Sequence, residues 1–163
     1  MILSCGDALI VMVPVRTDGG QSAYLPRVGG SCLIVAVAMA RLGTRCGFVG
    51  GISSDFFGQM IRDRLLSAGV DLRFTSVNDL ETTLAFVSLN RQDDQYVFYD
   101  SSTAARSWMF EPDVVDFEGI EAIHPGSVPL IGQSSALSFQ ALAYLPSCSC
   151  VVFSAPHFCQ TLL

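Results

Sequence analysis

The stretch Cys32-Leu33-Ile34-Val35-Ala36-Val37-Ala38-Met39-Ala40-Arg41-Leu42 constrains the fold of this chain more than any other. It is alanine-rich and almost wholly apolar, with Gly29-Gly30-Ser31 before it and Gly43 after it. That pattern predicts a helix with Ser31 as its N-cap and Gly43 as its stop. A helix apolar on every side must be buried on most of them. Upstream, Ile2 to Val13 is an apolar run with one early break at Gly6-Asp7, suited to a strand covered on both faces. Together they point to helices packed on a buried sheet, an α/β fold.

The rest of the chain continues the alternation. Thr17-Asp18-Gly19-Gly20 supplies a turn, and Ser22 to Val28 returns as a strand. Arg45 to Gly51 reads as a strand, and Ser53 or Ser54 caps a helix through about Ala68. In that helix Phe56, Phe57, Met60, Ile61, Leu65 and Leu66 recur at helical spacing, while Asp55, Arg62, Asp63 and Arg64 take the wet side. A strand is expected near Arg73–Val77. Thr82 to Asn90 and Gln95 to Tyr99 form a hairpin around Arg91-Gln92-Asp93-Asp94. A looser stretch, 100–119, precedes a buried strand at Ala122–Val128, a helix at Gln133–Ala143 and a last strand at Cys150–Ser154. The segments 12–28 and 82–99 are hairpins that the βα alternation does not absorb.

Length and charge narrow the function. A chain of 163 residues is one domain or part of a larger one, and with half its residues hydrophobic and 15% charged it has the means for a core. The net charge of −6 argues against nucleic acid or an anionic membrane as the partner. All nine cations are arginine, which removes a Walker-type phosphate loop and Schiff-base chemistry. No apolar run is long enough to span a bilayer, and the first residues lack a cationic leader, so a cytoplasmic location with reduced cysteines is expected. All fifteen acids and nine arginines precede residue 122.

Read in order, certain residues resemble a known family. Gly6-Asp7-Ala8-Leu9-Ile10 sits on the first strand, and Gly29-Gly30-Ser31 leads into Val35-Ala36-Val37-Ala38-Met39-Ala40-Arg41-Leu42-Gly43. Next come Gly47-Phe48-Val49-Gly50-Gly51, Asp55 with Phe57-Gly58, and Leu66 with Gly69-Val70-Asp71. Thr82-Thr83 and Phe98-Tyr99 look like a lid hairpin. From Met1 to about Ala143 the chain resembles the ribokinase/fructokinase (pfkB-type) carbohydrate kinases, and among them the fructokinases. The resemblance implies a ribokinase-like, mostly parallel sheet with helices on both sides and a small β lid near 12–28 and 82–99. It also implies phosphate transfer from ATP, with Mg, to a hydroxyl of fructose or a similar sugar, and often a dimer formed through the lid. Gly29, Gly30 and Ser31 would meet the sugar, and Phe98 and Tyr99 would cover it.

Three departures bear on activity. The family's sugar-binding aspartate on the first strand matches Val11 here, and its asparagine at the start of the helix matches Ile34. Each change removes a hydrogen-bonding group, at a cost of about 1–3 kcal/mol for a buried partner left without one. The Gly-Ala-Gly-Asp segment that carries the family's catalytic base matches nothing here, so no catalytic residue is assigned. We expect the chain to be an amino-terminal part of a kinase, inactive alone. The alternative is a non-catalytic module that dimerises through its lid edges. The charge-free segment 144–163 is expected to be a divergent tail, from a changed reading frame or splice, with a divergent natural terminus as the plainer alternative.

Other candidates have plainer readings. Cys148, Cys150, His157 and Cys159 have zinc-ligand chemistry, but Cys-x-Cys puts both sulfurs on one strand face, so no metal site is expected. His124 beside Pro125 reads as a buried histidine, and Asp93, Asp94 and Asp100 as acids near a hairpin tip. For Asp7, a pocket-facing carboxylate and a strand-end carboxylate with backbone partners are both open. So are functional and packing roles for the glycine pair, Phe98 and Tyr99.

Overall fold

A computed structural model describes residues 1–89, 94–108, 118–126 and 151–152. The apolar run at the start forms two strands, not one: β1 (Ile2–Cys5) and β2 (Leu9–Arg16). Gly6, at φ 149°, breaks the run and sends its halves into different sheets. Then follow β3 (Ser22–Gly29), α1 (Ser31–Arg41), β4 (Cys46–Ser53), α2 (Phe56–Ser67) and β5 (Thr75–Asn78). After these come β6 (Leu84–Leu89), β7 (Asp94–Tyr99), α3 (Ala104–Ser107), β8 (Ala122–Pro125) and β9 (Val151–Val152).

The main sheet has the order β5-β4-β1-β8-β9, and every neighbouring pair is parallel. All eight residues of β4 are buried, as a parallel strand covered on both faces requires. One face carries α1 and α2 over Phe48, Ile52, Ile61 and Leu65, and the other packs Leu3, Cys5, Val49 and Ile123 against Trp108. The second sheet, β3-β2-β6-β7, stands off the first as a lid. Its strands β2 and β3 are antiparallel, β2 and β6 parallel, and β6 and β7 antiparallel.

Both helix starts differ from the sequence expectation. Gly30, not Ser31, is the N-cap residue of α1, because Asp7 already occupies the capping position from a neighbouring element. At α2 the cap is Asp55, whose carboxylate accepts from the Gly58 N–H at 2.7 Å, rather than Ser53, which lies in β4. The stretch 100–119 contains the short helix α3, docked on β4 so closely that Gly51 has the Ala104 carbonyl where a Cβ would stand. Finally, α1 is not buried on most sides: Ile34 is 58% and Leu42 85% exposed. The Arg91–Asp93 turn, the 133–143 helix and Cys148, Cys150, His157 and Cys159 lie outside the described residues.

Candidate functional site

In an open parallel sheet, ligands bind beyond the carboxyl ends of the strands where the strand order reverses. From β1 the chain crosses to β4 and β5 on one side, and later returns to β8 on the other. The switch point is therefore between β1 and β8, where Cys5 and Pro125 end their strands side by side. Beyond these ends lie Gly6, Asp7 and Gly126, and the Gly126 N–H donates to the Cys5 carbonyl at 2.9 Å.

Asp7 organises this end of the sheet. It is 7% exposed, and its carboxylate accepts from the Ser31 N–H at 3.0 Å and the Ser31 hydroxyl at 2.8 Å. A carboxylate at the first N–H groups of a helix is favoured by the aligned peptide dipoles. Asp7 thus has the partners of a strand-end carboxylate, and it also lines the crevice at the lid root. Gly30 turns at φ 108° with its Cα against the Asp7 carbonyl, which stands 2.5 Å from where a Cβ would be. This position therefore tolerates only glycine. At Gly29 a Cβ would meet the Val11 side chain at 2.9 Å.

The lid meets the main sheet at the same place. Asp7, Ala8, Leu9, Thr83, Phe98 and Arg106 line a small crevice at the lid root. Cross-strand register puts Val11, Ala85 and Phe98 on one face of the lid. Tyr99, the next residue, faces the other way beside Leu84, and its ring meets Phe86 edge-on at 5.5 Å. Gly29, Gly30, Ser31, Val11 and Phe98 thus gather around Asp7, whereas Tyr99 is 61% exposed on the opposite face. Ile34, on the first turn of α1 after Ser31, is 58% exposed and lines a groove along that helix.

Some bonds here were not foreseen from sequence. Thr83 and Thr103 share a buried hydroxyl hydrogen bond of 2.6 Å, and Arg106 donates from Nε to Asp100 at 2.8 Å. Asp100 is thus paired with a cation and not a free acid near a turn. Both contacts join the lid root to α3, in a stretch whose sequence carries no periodic signal. Asp55 ties the other side: it accepts from the Thr82 N–H at 2.9 Å and the Thr82 hydroxyl at 2.7 Å. Burial raises the Asp55 carboxyl, but these bonds and that from Gly58 outweigh it and hold it below the ordinary 3.8. His124 is buried, as expected, and burial lowers its pKa.

The nucleotide can be tested against these residues. A phosphate would look for a helix N-terminus with free N–H groups. At α1 that position holds the Asp7 carboxylate, and at α2 the Asp55 carboxylate. Both would repel it, so ATP does not fit either helix start. Among the described residues no three His, Cys, Asp or Glu side chains converge on a cation site.

Comparison with known proteins accords with this architecture. The description "pfkB family carbohydrate kinase" belongs to a family pattern that matches residues 3–138. The chain belongs to this family. It is 34% identical over 158 residues to a fructokinase of Rhizobium leguminosarum bv. trifolii, covering 96% of this chain and 48% of that protein. A probable fructokinase-3 of Arabidopsis thaliana is 34% identical over 80% of this chain and 40% of its own length. A crystal structure of fructokinase from Xylella fastidiosa superposes with a TM-score of 0.85 at 29% identity, covering 96% of this chain and 50% of that one. The same enzyme is known with bound ATP, and one from Vibrio cholerae with fructose, ADP and calcium ion. The fold is ribokinase-like, and the chain spans about half the length of the curated relatives it matches. A 96% match extends past residue 143, so the likeness runs into the 144–163 segment. Among the described residues no helix is long and apolar enough to cross a membrane.

Proposed function

We propose that this chain is the sugar-side part of a fructokinase-like enzyme, which phosphorylates a hydroxyl of fructose or a similar sugar using ATP and Mg. The observation that carries the reading is the Gly29-Gly30-Ser31 turn held against Asp7 beyond the β1/β8 switch point, beside a separate β lid, in a chain of this family. Gly29, Gly30 and Ser31, held against Asp7, are the residues we assign to the sugar's hydroxyls, with Phe98 and Tyr99 of the lid to cover it. Val11 and Ile34 stand where the family's polar sugar contacts are expected. Among the described residues, both long helix starts hold a carboxylate and so neither offers a place for the phosphates. The nucleotide and the catalytic base belong to residues outside this part, so the chain alone binds sugar weakly and transfers no phosphate.

The test is fructose-dependent ADP formation, measured for the 163-residue chain and for the same chain continued by the carboxy-terminal half of a fructokinase. We expect none from the first and turnover from the second, raised about ten-fold or more by Val11→Asp with Ile34→Asn. Turnover by the chain alone would overturn its inactivity. A folded, continued chain that stays inactive even with both polar residues restored would overturn the sugar-kinase reading.

A further inference from the structure

One edge of the lid is fastened to the main sheet by contacts that sugar binding does not require. Strand β7 lies at the end of the lid sheet, hydrogen-bonded among the described residues to β6 alone. It stops at Tyr99, and the chain runs through Asp100, Ser101, Ser102 and Thr103 into α3. That helix belongs to the body of the molecule. Ala104 and Ala105 are buried, the Ala104 N–H donates to the Glu81 carbonyl at 3.0 Å, and Trp108 just beyond packs with Leu3, Cys5 and Val49.

Between the moving edge and the fixed helix stands Ser102. Its φ of 56° makes it the only residue other than glycine with a positive φ among the described residues. An L-residue pays for that conformation and keeps it only where its surroundings hold it. Two contacts close over it. Arg106 donates to the Asp100 carboxylate from Nε at 2.8 Å and also from Nη2, and the Thr103 hydroxyl donates to the Asp100 carbonyl at 3.2 Å. Thr103 also shares its 2.6 Å bond with Thr83, at the root of β6. The β6 root is itself fixed, because Asp55 holds both polar groups of Thr82. Freedom at the lid root is therefore confined to the β7 side.

Asp100 follows Phe98 by two residues, and both line the crevice with Asp7 and Arg106. The free space there is about 20 Å³, room for one water, so the lid edge is shut against Asp7 while the pair is made. Pairing that served only α3 would not need to reach back across a strained residue to the end of a strand in another sheet.

We propose that Asp100 and Arg106 form a clasp that holds β7, and with it Phe98, against the Asp7 turn, and that Ser102 is the hinge that relaxes when the clasp parts. This rests on the sugar-kinase reading in one respect: Phe98 is the residue that covers the sugar. Arg106 is then a positioning residue, acting through Asp100 on Phe98.

Hydrogen exchange of the full 163-residue chain, followed by mass spectrometry without sugar, tests this. Arg106→Gln and Asp100→Asn should each speed exchange of residues 94–99 at least about five-fold and leave β1 and β4 unchanged. The double variant should be no faster than either single one, because both break one contact. Arg106→Lys, which keeps the charge but not the two-pronged geometry, should fall between. Ser102→Val should speed the same residues with the pair intact, and Ser102→Gly should not. The proposal is overturned if Arg106→Gln leaves 94–99 at the unaltered rate, if β1 and β4 speed up as much, or if the two single effects add. The exchange needs no sugar, so the clasp can fail while fructose-dependent ADP formation upholds the kinase reading, and the reverse.

Discussion

Cys5, Cys32 and Cys46 are buried in the layers around the main sheet. Burial, then the neighbouring Asp7 carboxylate, pushes the Cys32 thiol up to about 12. Burial alone takes Cys46 to about 11, and Cys5 is also raised well above its ordinary value. A thiol that stays protonated at pH 8 is a poor nucleophile. Iodoacetamide at pH 8 should therefore leave these three unmodified in the native chain and label all of them in denaturant, as peptide mass mapping would show. Labelling of Cys32 without unfolding would contradict the packing described. The sequence reading of these cysteines as compact hydrophobes needed only their apolar neighbours. What it did not see at this scale is Asp7 capping α1 across twenty-four positions, which no local pattern reveals.

At the scale of elements, Asp55 joins α2 to the root of the lid, because one carboxylate serves the α2 cap and both polar groups of Thr82. Asp55→Ala removes the cap and leaves Thr82 without its partner, so a loss of about 1–2 kcal/mol is expected from the shift of the urea midpoint. Asp63→Ala, which breaks only an exposed contact with Gln59, should change it by less than about 0.5 kcal/mol. Most strands and both long helices were legible from periodicity and glycine punctuation. The boundaries erred where a side chain from elsewhere took over a local role. Ser31 gave up the cap to Asp7, Ile2–Val13 split because its halves pair with different partners, and α3 is too short to show a period.

For the molecule as a whole, two titrating groups shape stability against pH. His124 is lowered below 6.5 by burial, so below that pH the unfolded chain takes up a proton more readily than the native one. Stability therefore falls as pH drops below about 6.5, until the lowered native value is passed. Asp55 acts further down: its stabilisation is complete above 3.8 and is lost as pH falls through its depressed native value. Urea midpoints from pH 7.5 to 3 should show both declines, with His124→Gln flattening the upper one and Asp55→Asn the lower. A flat profile between pH 7 and 5 in the unaltered chain would contradict the burial of His124.

The sequence alone determined the α/β class, the family, the two hairpins outside the alternation and the glycine pair before α1. Each of these rests on residues close together in the chain, where hydrophobic period and backbone freedom speak directly. Only the tertiary structure decided that β1 lies between β4 and β8, which places the crevice. It also separated Phe98 from Tyr99 on opposite faces of the lid, set carboxylates on both long helix starts, and left Ile34 of α1 exposed. The physical reason is the same for all four. A pattern says that a residue is apolar or polar, but which surface covers it depends on elements tens of residues away that meet it only when the sheet is assembled.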